Sequence, residues 1–216
     1  MITELMVAPE AVDDGAGEYV EIHNVSNETI PLDGFVLHDG GADYHAIASG
    51  GQAHVTPGDY FVLGINANPV TNGGVIVDYQ YAGIALDEAP DGLQLEFLGI
   101  LVDAVSYDWG ATFPAPEGAA LSLDPGHVDA LDNDDGTLWC VATTPLYEWG
   151  DFGTPGTDND SCACSQSDLD GDGFGSDASC PADYVDCDDG LEQVNPAAFD
   201  ICDDGIDQDC DGADRE

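Results

Sequence analysis

Aspartates at every second position, closed by a glycine, occur twice near the C-terminal end. They are Asp168-Leu-Asp170-Gly-Asp172-Gly173 and Asp207-Gln-Asp209-Cys-Asp211-Gly212. Both read D-x-D-x-D-G, the first half of a twelve-residue calcium loop. In such a loop the carboxylates at positions 1, 3 and 5 converge on one hard cation, and the glycine permits the sharp turn around it. In the first loop the Phe174 carbonyl falls at position 7, but position 12, ordinarily a bidentate Glu, is Ser179. The second loop reaches Glu216 before its position 12. Distant carboxylates must therefore complete both shells. The candidates are Asp186, Asp188 and Asp189 for the first, and Asp203, Asp204 or the 186–189 cluster for the second. The expectation is a compact knot in which two Ca2+ ions share one acidic centre, because carboxylates packed this closely repel without a counter-cation.

The charge balance narrows the chemistry further. The net charge is −44, with no Lys and a single Arg, Arg215. Such a surface repels nucleic acid and anionic membrane. It also leaves no lysine for phosphate binding or Schiff-base catalysis. Residues 162–216 carry 17 of the 45 acids, almost twice the density of the preceding part. A salt-adapted surface would be acidic evenly, so the concentration at loop spacing favours cation loading in the tail. The acidity of the rest is compatible with salt adaptation as well.

Six of the seven cysteines (Cys162, Cys164, Cys180, Cys187, Cys202 and Cys210) share this tail, and Cys140 precedes it. A short segment poor in apolar residues and rich in Cys is usually braced by disulfides in an oxidising compartment, so export is expected. Cys180–Cys187 and Cys202–Cys210 would close small loops around the ions, and Cys140 with Cys162 or Cys164 would tie the tail to what precedes it. The seventh cysteine is then free or pairs elsewhere. Met1 runs straight into a strand-like segment, so a leader would lie outside this numbering or the chain is part of a longer one. The cysteines include no C-x-x-C pair, and all-oxygen loops select hard cations over thiolate-bound metals.

The elements that must carry the tail read as β. Val20 and Ile22 alternate with Tyr19, Glu21 and His23; Leu5 and Val7 lie opposite Glu4 and Met6; Phe61, Leu63 and Ile65 and then Leu93, Leu95 and Phe97 repeat the period of two. Turn clusters such as Asp39-Gly-Gly41, Asn72-Gly-Gly74 and Pro90-Asp-Gly92 separate the runs. Short strands with regular turn signals predict an all-β domain over 1–157, an antiparallel sandwich or barrel. Residues 158–165 read as a linker, and 166–216 as the cation-binding, Cys/Asp-rich region. Trp109, Phe113, Leu121, Trp139, Tyr147 and Trp149 would close the core, with a ligand platform as the minor alternative. Asp132-Asn-Asp-Asp-Gly136 reads as a solvated turn before an ion site. The five His are scattered without an i, i+4 pair. Sequons begin at Asn24, Asn27 and Asn159. No apolar run is long enough to span a bilayer.

The first part resembles the lamin tail domain, an immunoglobulin-like sandwich, through Ile2-Thr-Glu-Leu-Met-Val7, Gly17-Glu-Tyr-Val-Glu-Ile-His-Asn24, Pro31-Leu-Asp-Gly-Phe-Val-Leu-His38, Gly58-Asp-Tyr-Phe-Val-Leu-Gly64, Asp91-Gly-Leu-Gln-Leu-Glu96, Val102-Asp-Ala-Val-Ser-Tyr107 and Gly153-Thr-Pro-Gly156. That resemblance implies a fold and a structural or binding role without catalytic machinery. The tail is similar to the metal-binding motif of MopE-like, myxobacterial-type surface proteins. Asp168 to Gly175, Cys180, Asp186-Cys-Asp-Asp189, Val194 to Ala198 and Ile201 to Gly212 carry the likeness. That family tends to place a Glu where Phe199-Asp200 stands here.

Together these features point to a non-enzymatic extracellular calcium-binding protein with a structural or adhesive role: a surface, matrix or filament subunit, partnered by copies of itself or by other surface components. The alternative is a glycan- or protein-binding accessory module of a larger secreted protein. A hydrolase or nuclease is disfavoured, because no nucleophile–base pattern is present and almost no cationic group could hold phosphate.

Overall fold

The period-two runs become strands: β1 (Ile2–Met6), β2 (Tyr19–His23), β3 (Ile30–Pro31), β4 (Phe35–His38), β5 (Tyr44–Ala46), β6 (His54–Val55), β7 (Tyr60–Gly64), β8 (Tyr79–Gln80), β9 (Asp91–Phe97), β10 (Ile100–Tyr107), β11 (Leu121–Leu123) and β12 (Trp139–Val141). One short helix, α1 (Asp14–Gly17), joins β1 to β2, and 3-10 turns cover Asp132–Asp134 and Gly136–Leu138. The computed structural model describes residues 1–146, 150–162, 169–170, 174–176, 185–191, 193–196, 198–201, 205–210 and 212–213. Tyr147 and Trp149 lie outside them. The chain divides into two compact units, Met1–Asp160 and Ser161–Glu216.

Within the first unit, one sheet runs β12-β11-β1-β2-β7-β8 and a second β10-β9-β4-β5, with β3 and β6 paired separately. The pairings are antiparallel except for β7 with β8, which is parallel. The two larger sheets bury a common core. Leu5, Val20, Ile22 and Leu63 come from the first, Leu37, Leu93, Leu95 and Val105 from the second. Each such side chain contributes about 1.5–3 kcal/mol relative to exposure. The architecture is all-β and compatible with an immunoglobulin-like sandwich. Trp139 and Phe113 close one end of the core with ring centroids 5.7 Å apart.

Register explains which residues face inward. Ile2 pairs with Ile22 but Glu4 with Glu21, so β1 carries a bulge between them. The extra residue lets Ile2 and Leu5, three apart in sequence, both reach the core. A second bulge in β10, between Leu101 and Asp103, ends the exposed run Ile100–Val102 and turns Asp103 inward.

The first sheet is covered on both faces, which alternation alone did not predict. Glu4 and Glu21 are fully buried. Glu4 accepts hydrogen bonds from the Tyr19 hydroxyl (3.0 Å), the Ser122 hydroxyl (2.9 Å) and the Thr154 amide (2.9 Å). Glu21 accepts from Thr3 Oγ1 (2.9 Å) and the Gly156 amide (2.6 Å). The cover is the chain from Asp151 to Asp160. Asn159 donates to the Thr3 and Leu123 carbonyls (both 2.8 Å), and Asp160 accepts from the Thr143 and Thr144 amides (both 2.8 Å). Residues 158–160, read from sequence as linker, are thus fastened to the sandwich by specific side chains.

Two further expectations change. Asn133, in the segment expected as a solvated turn, is fully buried and donates to the Ile2 carbonyl (3.0 Å) and Asp103 Oδ2 (2.8 Å). It plugs the end of the core. Asn24 and Asn159 spend their amide groups on backbone carbonyls inside the fold, so these two sequons are structural; Asn27 is exposed.

Candidate metal centre

In the second unit the backbone is shaped by turns, and side-chain carboxylates do much of the fastening. Gly175 forms a parallel bridge with Val185, and the Asp186 amide donates to the Gly175 carbonyl at 3.0 Å. This lays the 186–189 turn against Leu169 and residues 174–176. Asp189 clamps it, accepting from the Leu169 amide (2.6 Å) and the Ser176 hydroxyl (2.7 Å). Asp186 lies at the turn's buried start and accepts from the Asp188 amide at 2.8 Å.

These contacts gather the carboxylates of Asp170, Asp186 and Asp189, whose ligand atoms lie within 4.8 Å of one another. Asp170 thus meets carboxylates 16 and 19 positions further along the chain. Asp188 is not in the group; its carbonyl accepts from Gly190 (2.6 Å) and Leu191 (2.9 Å) and shapes the turn instead. Phe174 immediately precedes Gly175, the residue that bridges Val185. Asp168 and Asp172 lie outside the described residues.

The second loop gathers Asp200, Asp207 and Asp209 within the same distance. Asp200 is 1% exposed and accepts from the Gln208 amide at 2.9 Å. Gln208, also buried, accepts from the Ile201 amide through Oε1 (2.9 Å), and its backbone carbonyl accepts from the Asn195 amide (2.9 Å). Gly212 sits at φ +95° and donates to Asp207 Oδ2 (2.8 Å), so the loop glycine does adopt the left-handed turn that its position requires. Asp207 Oδ1 is buried and accepts no hydrogen bond from the described residues, leaving an acceptor that a cation would satisfy. Asp203, Asp204 and Asp211 lie outside the described residues.

Asp200 is the residue that sequence reasoning missed. It belongs to neither D-x-D-x-D-G run and precedes the second by seven positions. The available signal was its place beside Phe199, where the similar family tends to have a Glu. An Asp there keeps the carboxylate.

Cys187 and Cys210 form a disulfide across 23 residues, with Cα atoms 5.7 Å apart. It joins the residue after Asp186 to the residue after Asp209. The expected Cys180–Cys187 and Cys202–Cys210 loops are therefore replaced by one long-range staple between the two acidic groups. Cys140 and Cys162 are likewise disulfide-bonded; Cys164, Cys180 and Cys202 lie outside the described residues. Among the described residues the two groups have no carboxylate in common.

The chemistry follows from the donor set. Unit charges 4 Å apart interact by about 4 kcal/mol at an effective dielectric constant of about 20, so three carboxylates this close would attract a cation between them. Asp186 also meets Cys187 and Cys210 in space, but joined sulfurs are not thiolates, and thiolate is what a soft metal requires. Oxygen ligands remain, and oxygen suits a hard divalent cation.

The model of a family described as a putative metal-binding motif, Cu-binding MopE, matches residues 186–216. The match spans the 186–189 turn, the staple and the whole second group. No curated protein and no solved structure matches the chain. Among the described residues no helix is long and apolar enough to cross a membrane.

Proposed function

We propose that the C-terminal unit is a calcium-binding staple on a non-enzymatic extracellular protein, and that the lamin-tail-like sandwich it accompanies serves a structural or adhesive role. One observation carries the reading: two carboxylate trios, each within 4.8 Å, combine loop aspartates with carboxylates from outside the same run, and a disulfide links the residues that follow Asp186 and Asp209. Calcium fits because it takes six to eight oxygen ligands in flexible geometry, and backbone carbonyls or water can complete a trio of aspartates. The disulfides and the acidic, lysine-free surface favour an exported protein. The name of the matching family favours copper, which would choose nitrogen or thiolate donors over carboxylate trios.

Isothermal calorimetry of the full chain with Ca2+, Mg2+ and Cu2+ tests this. Two Ca2+ per chain are expected, with Asp186→Ala and Asp207→Ala each removing one and Asp188→Ala removing none. Cu2+ binding that survives excess Ca2+ would replace the calcium assignment. Heat near zero for all three ions would remove the metal reading.

A further inference from the structure

The sandwich carries an open groove of ≈ 650 Å³ beside β6 and β7. Its lining includes Gln52, His54, Asp59, Tyr60, Asp78 and Tyr79. Both tyrosines have their hydroxyls engaged elsewhere. Tyr60 donates to Asp158 (2.7 Å) and stacks its ring on His23, with centroids 4.3 Å apart. The Tyr79 hydroxyl is held by the Ala48 amide and His45 Nε2, both at 3.1 Å. What these residues can offer a ligand is ring surface, already fixed in place.

The polar groups are engaged in the same one-sided way. Thr56 donates its hydroxyl to Asp59 Oδ2, and Ser49 donates to Asp33. His54 Nδ1 lies 2.9 Å from the Gln52 carbonyl, which can only accept, so the neutral ring presents Nε2 as an acceptor. Asp78 is held by the Val62 amide on Oδ2 (2.9 Å), leaving Oδ1 to a ligand. One hydrogen of the Gln52 amide is the lone side-chain donor of the lining not so engaged. The groove therefore combines aromatic faces, two carboxylates and a surplus of acceptors.

We infer that this groove binds an alkylammonium group. An ammonium is three donors with no acceptor, it is attracted to aromatic faces, and its apolar stem can pack on them. A neutral sugar needs donors as well as acceptors, and an anion meets only repulsion. The field of a chain with net charge −44 raises the local concentration of any cation at such a cleft. The group has two natural sources, a free polyamine or a lysine side chain of a basic protein.

The test is calorimetry and amide NMR on the full chain in about 0.15 M salt, where exposed charges beyond a Debye length are screened. The probes are 1,5-diaminopentane, acetyl-Gly-Lys-Gly-amide and methyl glucoside. One saturable site is expected, with shifts at Tyr60, Phe61 and Tyr79. Asp59→Asn with Asp78→Asn keeps both internal acceptors and should weaken binding at least tenfold, whereas Asp129→Asn should not. Gln52→Lys should block the groove with a tethered ammonium. Binding of the peptide alone assigns the lysine source, and equal binding of the diamine assigns the free amine. Binding undiminished in the double variant, preference for the glucoside, or no shift at these residues would overturn the proposal.

Discussion

Glu4 and Glu21 face each other across β1 and β2 with no cationic side chain beside them among the described residues, and both are fully buried. Burial, reinforced by the neighbouring Glu4, pushes the Glu21 carboxyl up to about 9; burial also raises Glu4. Glu18 is raised in the same way, to about 7. The sign follows from proton linkage. The folded protein holds the Glu21 proton to about pH 9, while the unfolded chain releases it near the ordinary value of 4.5. The stabilisation is complete below that ordinary value and is lost as pH rises through the folded value, by up to about 1.4 kcal/mol per pH unit. Urea unfolding should therefore show stability falling from pH 5 to pH 9. Glu21→Gln should flatten the slope and make the variant the more stable protein at pH 9. An unchanged slope would mean that the dyad is not the titrating element. Both glutamates were legible as the polar half of an alternating strand. Their burial was not, because it depends on Thr154 and Gly156, about 150 and 135 residues further along the chain.

At the scale of elements, the same division between local and distant contacts appears in the tail. The D-x-D-x-D-G spacing fixes which loop oxygens come together, because alternate residues and a left-handed glycine curl the chain around one point. Completion of each trio rests on separate pieces, the 186–189 turn in one case and Asp200 in the other. The Cys187–Cys210 bridge holds those pieces in register. Closing a loop of this length is worth about 3 kcal/mol in the chain-entropy account. Cys187→Ser with Cys210→Ser should thus lower the thermal stability of the second unit and weaken calcium binding at both trios. Calcium affinity equal to that of the parent chain would show that the turns alone hold the carboxylates. The pairing was unreadable from spacing, since cysteines seven or eight apart are as able to close as those 23 apart until the turns place them.

For the whole molecule, two compact units of different make should respond differently to ions. The sandwich rests on a shared apolar core; among the described residues the tail has few buried apolar side chains, and its sequence is rich in carboxylates. Scanning calorimetry should resolve a transition that calcium raises and EDTA lowers, and a second that neither moves. A ligand at 100 times its Kd adds about 2.7 kcal/mol to the state that binds it. A single transition shifting as one would instead show the two units to be energetically coupled.

By itself the sequence determined the β character of the first part of the chain, the position of the acidic runs and the carboxylates on offer to a cation. All of these depend on residue type and on spacings of a few positions. Tertiary structure decided the rest: that Asp200 joins the second trio, that Cys187 pairs with Cys210, that Asn133, Asn159 and Asp160 fasten the sandwich, and that two glutamates lie inside it. Each of these depends on long-range closure, in which a side chain's partner is set by the path of the intervening chain. Local pattern carries no record of that path.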